Sequence, residues 1–382
     1  MEKNVITIGV WEETMKVVKR LNNLRRWTSL MTEGKYNELS KQGLNCLIAY
    51  FLGKKAEEEG ISINWTRFPQ IALHRSFQKA YVNYDTPEHI LKEICELGGI
   101  QFESAFVEVT NQTIRDYAGE NFMEFLKEGI GTLEEEIYKA ASKIATFVEL
   151  KEIKKQINGD YDFKYEEIVK SMYKYQHVIG FDEMSNAEGE YFKLFSTISK
   201  LRNQNRWAAY SYSINCSVLG HLFETALYAY MMALENGETE IIATKCFFLG
   251  VFHDVPETFT RDIPSPVKDK ISGFRELTEK YELLQMDKEV YPFVSEHMKK
   301  ALKEVMFEDS ENGSFKSLMK GADYMSAVIE IWRQLKAGTR DDSFITAIIG
   351  HGEKFDSGIA EITPLAREIF NKIMKYANKL NL

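Results

Sequence analysis

His253 and Asp254 stand side by side at the end of an apolar run, Phe247 to Phe252. An imidazole and a carboxylate delivered into apolar surroundings are costly to bury unless something pairs them, and a divalent cation does this well. For an isolated His-Asp dipeptide the competing reading is a plain hydrogen-bonded pair at a helix end. Glu257 follows within one helical turn, then Asp262 in a stretch, Asp262-Ile263-Pro264-Ser265-Pro266-Val267-Lys268, whose two prolines make a rigid loop of the kind a site needs. Upstream, His221 follows Gly220 and opens an apolar helical run to Tyr230. Downstream, Asp323 sits in a mostly apolar helical stretch, Leu318 to Ile331.

Taken in order, His221, His253-Asp254 and Asp323 resemble the H…HD…D pattern of the HD phosphohydrolase superfamily. Arg206-Trp207 ahead of His221, His253-Asp254-x-x-Glu257 and the Asp262 to Lys268 loop are similar to the YfbR-like 5'-deoxynucleotidase branch, from Ser199 to Leu335. The resemblance implies that His221, His253, Asp254 and Asp323 hold one divalent metal. Two imidazoles and two carboxylates suit Mn, Co, Ni or Zn without choosing among them. Such an ion brings the pKa of bound water towards neutrality and polarises a phosphoryl group. By the same resemblance Arg206 forks onto the 5'-phosphate. Trp207 packs against the sugar and helps exclude a 2'-hydroxyl. Glu257 and Asp262 position water or carry protons. Lys268 either adds charge near the phosphate or is a solvated loop lysine. The implied activity is release of phosphate from deoxynucleoside 5'-monophosphates. Two alternatives stay open: hydrolysis of nucleoside triphosphates, cyclic nucleotides or alarmones, and a nucleotide-binding regulator without turnover.

Three positions depart from the family's pattern. Arg261 stands where a glycine precedes the loop Asp, Gly220 where a Glu precedes the first His, and Pro256 lies inside the HDxxE motif, where it should kink or end a helix. These leave the metal ligands intact and bear on the substrate. His297, in a charged helical segment, is a candidate for approach to a second metal; His74, His89, His177 and His351 read as surface or packing residues.

The elements that must carry these residues read as helices throughout. Leu39, Leu44, Leu47, Ile48, Phe51 and Leu52 recur at three- and four-residue steps over Asn37 to Glu59, and Gly60 stops the pattern. Helical spacing is also expected over Asp85 to Leu97, Ser104 to Lys127, Leu133 to Ile153, Tyr165 to Tyr175 and Phe192 to Arg206. Loops are expected at Asn158 to Lys164 and Gly180 to Glu190. No stretch alternates as a strand does, so the class is all-α. Arg26-Trp27 matches Arg206-Trp207, Asn37–Tyr50 matches Ser217–Tyr230, Asp85-Thr86-Pro87 matches Asp262-Ile263-Pro264, and Lys139–Ser142 matches Lys320–Asp323. A near-constant half-chain offset suggests two copies of one helical unit. The chemistry does not repeat: Lys41, Ser76, Phe77 and Ser142 take the places of His221, His253, Asp254 and Asp323. The expected layout is a degenerate HD-like domain over 1–157, a connecting segment over 158–198 and an active domain over 199–382, forming an intramolecular pseudo-dimer or a homodimer.

Composition supports this frame. The 382 residues are 44% hydrophobic and contain only seven prolines, ample for a helical core. The net charge of -9 argues against a nucleic-acid polymer or an anionic membrane as partner, while leaving room for a local basic pocket. Cys46, Cys95, Cys216 and Cys246 have no metal or disulfide spacing. With no signal-peptide layout and no run of roughly 20 apolar residues, the expectation is a cytoplasmic protein without a membrane span.

Overall fold

A computed structural model describes residues 5–30, 32, 36–84, 86, 88–154, 161–261, 263, 267, 270–306 and 313–380. The protein is all-α. Its first half runs α1 (Ile8–Asn23), α2 (Glu38–Glu58), α3 (Arg67–Phe77), α4 (Glu88–Leu97), α5 (Phe102–Ala118), α6 (Glu120–Lys127), α7 (Leu133–Lys154) and α8 (Tyr161–Met172). Then come α9 (Phe181–Ser185), α10 (Glu190–Ser199), α11 (Val218–Glu235), α12 (Glu240–Phe252), α13 (Glu257–Thr260), α14 (Phe274–Glu289), α15 (Glu296–Met306), α16 (Gly313–Lys336), α17 (Asp342–Asp356) and α18 (Pro364–Asn378). Among the described residues the only β pairing is two isolated bridges, Arg25 with Asn37 and Asn205 with Ser217. No helix among them is long and apolar enough to cross a membrane.

Two helices are buried on every side. Residues 38–53 of α2 and 218–233 of α11 all lie inside. Both run through the interior, and their charged or ionisable side chains are buried with partners: Glu38 with Arg26, Lys41 with Ser142, His221 with Asp323 and Glu224 with Arg333. The two meet near their N-termini. Ser40 Oγ and Ser217 Oγ are 2.8 Å apart, and Gly43 lies so close to the Leu219 backbone that a Cβ there would collide. A Cβ on Gly220 would come within 3.2 Å of Leu39, so the missing Glu at that position has a packing reason. α7 flanks α2, while α12 and α16 flank α11. At Gly250 the α12 backbone meets α11 so closely that a Cβ would stand 2.6 Å from the Ala226 Cα.

The same local construction occurs at the start of both central helices. Asn37 caps α2 by accepting from the Ser40 amide, and Ser217 caps α11 by accepting from the Gly220 amide. The Arg26 amide donates to the Tyr36 carbonyl as the Arg206 amide does to Cys216; Glu38 donates to Leu24 as Val218 does to Gln204.

Several boundaries differ from expectation. The run from Ser104 to Lys127 is broken at Gly119, whose φ of 96° no helix accommodates. Tyr161 to Lys164, expected in a loop, is the first turn of α8; 155–160 fall outside the described residues. The helix expected to reach Arg206 ends at Ser199, passes through one 3₁₀ turn, Lys200–Asn203, and becomes extended to form the Asn205 bridge. Asp85 and Pro87 lie outside the described residues; the helix they were expected to open does run Glu88–Leu97. All four cysteines are buried free thiols.

Candidate metal centre

The Ser217 cap fixes where α11 begins, and His221 follows one turn later, 1% exposed. α12 ends as Pro256 approaches: His253 is its C-cap, and Pro256 then caps the single turn of α13. This stop leaves His253 and Asp254 at the helix end facing α11. α16 contributes Asp323, Ser326 and Glu330, at i, i+3 and i+7 on one face. The Asn205–Ser217 bridge lays Arg206 and Trp207 beside the same point.

The imidazole rings of His221 and His253 are 5.4 Å apart. Donor atoms of His221, His253 and Asp254 all lie within 4.8 Å of one another. Asp323 Oδ1 is 2.9 Å from His221 Nε2. The other ring nitrogen, Nδ1, is 2.9 Å from Ser326 Oγ and 3.2 Å from Glu330 Oε1. His253 Nδ1 donates to the Gly250 carbonyl at 2.8 Å, which directs Nε2 at Asp254 Oδ2, 3.2 Å away. That distance comes without hydrogen-bond alignment, so the buried Nε2 has no hydrogen-bond partner. A metal needs such a nitrogen: one face of the ring fixed by a backbone carbonyl, the other directed at carboxylates.

Electrostatics are consistent with a site built for positive charge. Burial, the largest influence on His221, opposes its protonation, and Arg206 adds to that; hydrogen bonds to Asp323 and Glu330 outweigh both and raise its pKa. His253 is pushed up to about 9 against burial, mainly by Asp254. Burial also opposes ionisation of Asp323, yet His221, His253 and Arg206 hold it well below the usual carboxylate range. Without metal, protons on the imidazoles compensate the carboxylates; a cation bound here would displace them. The donor set fits a divalent metal and does not select one.

Arg206 is anchored by Glu330, Nε to Oε2 at 3.1 Å, and turns Nη1 towards Asp254 at 3.8 Å and Nη2 towards Asp323 at 3.9 Å. The indole N–H of Trp207 donates to the same Glu330 oxygen at 2.8 Å, with its ring against Tyr210 and Phe344. Glu257 is buried, 7% exposed, at the start of α13. Asp262 and Lys268 lie outside the described residues. Arg261 has φ 62° and ψ 169°, a conformation nearly reserved for glycine, at the position where the family pattern has one. His297 is not at this centre: its side chain is 49% exposed and faces Glu57 at 3.6 Å.

Glu330 and Ser326 were not singled out in the sequence. Their signal was helical spacing from Asp323, three and seven residues on, in a stretch otherwise apolar. Behind them Arg333 and Glu224 form a buried ion pair at 2.6 Å that ties α16 to α11.

Residues 193–369 match the family model described as YfbR-like, 5'-deoxynucleotidase YfbR-like. The chain is 27% identical over 150 residues to 5'-deoxynucleotidase YfbR of Shigella boydii serotype 18, covering 38% of this chain and 75% of that protein. The same identity and coverage hold for 5'-deoxynucleotidase YfbR of Escherichia coli strains ATCC 8739 and K12/DH10B.

Proposed function

We propose, from the premise that residues 193–369 form a YfbR-like domain of the HD phosphohydrolase superfamily, that this chain releases phosphate from deoxynucleoside 5'-monophosphates in a metal-dependent reaction. The observation that carries the reading is the convergence of His221, His253 and Asp254 donor atoms, with Asp323 bonded to His221 and Arg206 directed at both carboxylates. His221, His253, Asp254 and Asp323 would hold the ion. When bound, a divalent cation supplies acidified water and polarisation of the phosphoryl group. The chain's residues do the rest. Arg206, steadied by Glu330, forks onto the phosphate oxygens as negative charge builds on them. Glu257 and Asp262 orient the attacking water and pass a proton to the leaving 5'-oxygen. Trp207 closes the sugar side, and Lys268 adds charge at the loop.

The chain as a whole is read as two copies of one helical unit, 1–157 and 199–382, joined through 158–198, with the second copy active. The matched caps, bridges and Arg-Trp pairs at the starts of α2 and α11 support this. So does the contact of α2 with α11, across which the two copies would pair as an internal pseudo-dimer.

One observation favours a second reading. A glycine replaced by a strained Arg261 puts a guanidinium beside the loop, where it suits a longer phosphate chain. Product analysis separates the two. Inorganic phosphate from deoxynucleoside monophosphates, dependent on added Mn²⁺ or Co²⁺ and lost in Asp254→Ala, is the expected result. Tripolyphosphate from deoxynucleoside triphosphates would replace it with the second.

A further inference from the structure

The first half has its own cavity, of about 500 Å³, at the place that corresponds to the metal centre. It includes Arg26, Trp27, Lys41 and Ser142, the counterparts by sequence offset of Arg206, Trp207, His221 and Asp323. The support is copied as well. Arg26 Nε meets Glu149 Oε2 at 2.9 Å and the Trp27 indole donates to the same oxygen at 2.8 Å, as Arg206 and Trp207 do with Glu330. The ligands are not. Lys41 Nζ donates to Ser142 Oγ where His221 meets Asp323. Among the described residues no metal-binding group forms on this side.

The walls carry nine lysines and arginines against four glutamates, in a protein of net charge -9. Arg26 is compensated by Glu38 and Glu149. Lys41, Lys79 and Lys143 lie within ion-pair distance of no carboxylate among the described residues. Yet Lys41 is 5% exposed, and its burial pushes its pKa down to about 8. Burial likewise lowers Lys143, against the attraction of Glu88. An ammonium group buried like Lys41, or half-buried like Lys79 and Lys143, is costly without a direct ion pair, and an anion in the cavity would relieve it. A volume of this size is within the range of small-molecule pockets, roughly 300–1,000 Å³. Trp27, Tyr84, Phe102, Tyr138 and Tyr175 provide aromatic surface in the same walls.

We infer that this cavity is a metal-independent binding site for a nucleoside polyphosphate, with Lys41, Lys79 and Lys143 facing the phosphates and aromatic side chains facing the base. A bound anion would favour the charged form of Lys41, which would then supply the positive charge that the other half is proposed to take from an ion.

Equilibrium dialysis on the full chain carrying Asp254→Ala, in EDTA, with labelled dATP, dGTP, ATP and GTP tests this without any turnover. The expected result is saturable binding of one equivalent of at least one of these nucleotides, weakened about tenfold or more in Lys79→Gln/Lys143→Gln and further by added salt. Arg206→Ala should change it less than about twofold, since that side chain belongs to the other half. Lys79→Gln alone, on a partly exposed side chain, gives the same direction with the melting transition unchanged. Absence of saturable binding, binding that Arg206→Ala abolishes, or binding indifferent to both lysines would overturn the inference. Inorganic pyrophosphate competing as well as the nucleotide would overturn the nucleotide assignment. Loss of phosphatase activity has no bearing on any of these outcomes.

Discussion

Glu330 takes a hydrogen bond from Trp207, holds the Arg206 guanidinium and contacts the second nitrogen of His221. Neighbours that orient ligands in this way commonly contribute ten- to a hundredfold in metal affinity or activity. Glu330→Gln keeps the size and loses the charge. It should therefore lower kcat/KM for the monophosphate substrate and the affinity for Co²⁺ by about ten- to a hundredfold each, read by phosphate release and by metal titration. A variant with both values unchanged would remove Glu330 from the account. At this scale the sequence was legible where residue types are rare. A His-Asp dipeptide after an apolar run and an Arg-Trp pair stand out by themselves. A glutamate in a helix does not, because most helix glutamates face water, and its spacing from Asp323 was the one sign that position 330 faces inward.

At the scale of elements, the site depends on how closely its helices approach. Gly250 lies three residues before His253, and its carbonyl holds the His253 ring. Gly250→Ala would force α12 away from Ala226, and overpacking of this kind costs about 1–3 kcal/mol. The expected outcome is a lower melting temperature together with weaker metal binding. A variant as stable as its parent would show that the two helices tolerate separation. In α3, His74 is held neutral by burial, with its pKa pushed down to about 4, and Nε2 bonded to Asn111. The unfolded chain takes up that proton near 6.5, so between pH 6.5 and 4 it binds more protons than the folded one and stability falls as pH drops. His351 in α17, also held at about 4 by burial, acts in the same direction. His74→Gln should flatten the acid loss by on the order of 2–3 kcal/mol in denaturant melts at pH 7 and pH 4. The helices themselves were mostly legible from periodicity. The misjudged boundaries lie at Gly119, Tyr161 and Ser199. There, backbone conformation or pairing with a distant segment decides the outcome, and apolar spacing reports neither.

At the scale of the whole molecule, α2 and α11 begin with matched caps and bridges and meet at Ser40 and Ser217, and among the described residues the grouped His and Asp donors lie beside α11. The near-constant offset was visible in the sequence, and so was the absence of ligands at positions 41, 76, 77 and 142. The basic cavity was not, because its lysines and arginines come from separate helices that only folding brings together. Titration of the metal-free chain with Co²⁺, followed by its visible absorption, tests the central claim most directly. One equivalent should bind per chain, and His253→Gln should abolish the signal without changing the fold seen by circular dichroism. Two equivalents of equal affinity, or one equivalent that survives His253→Gln, would contradict a single metal centre at His221, His253, Asp254 and Asp323.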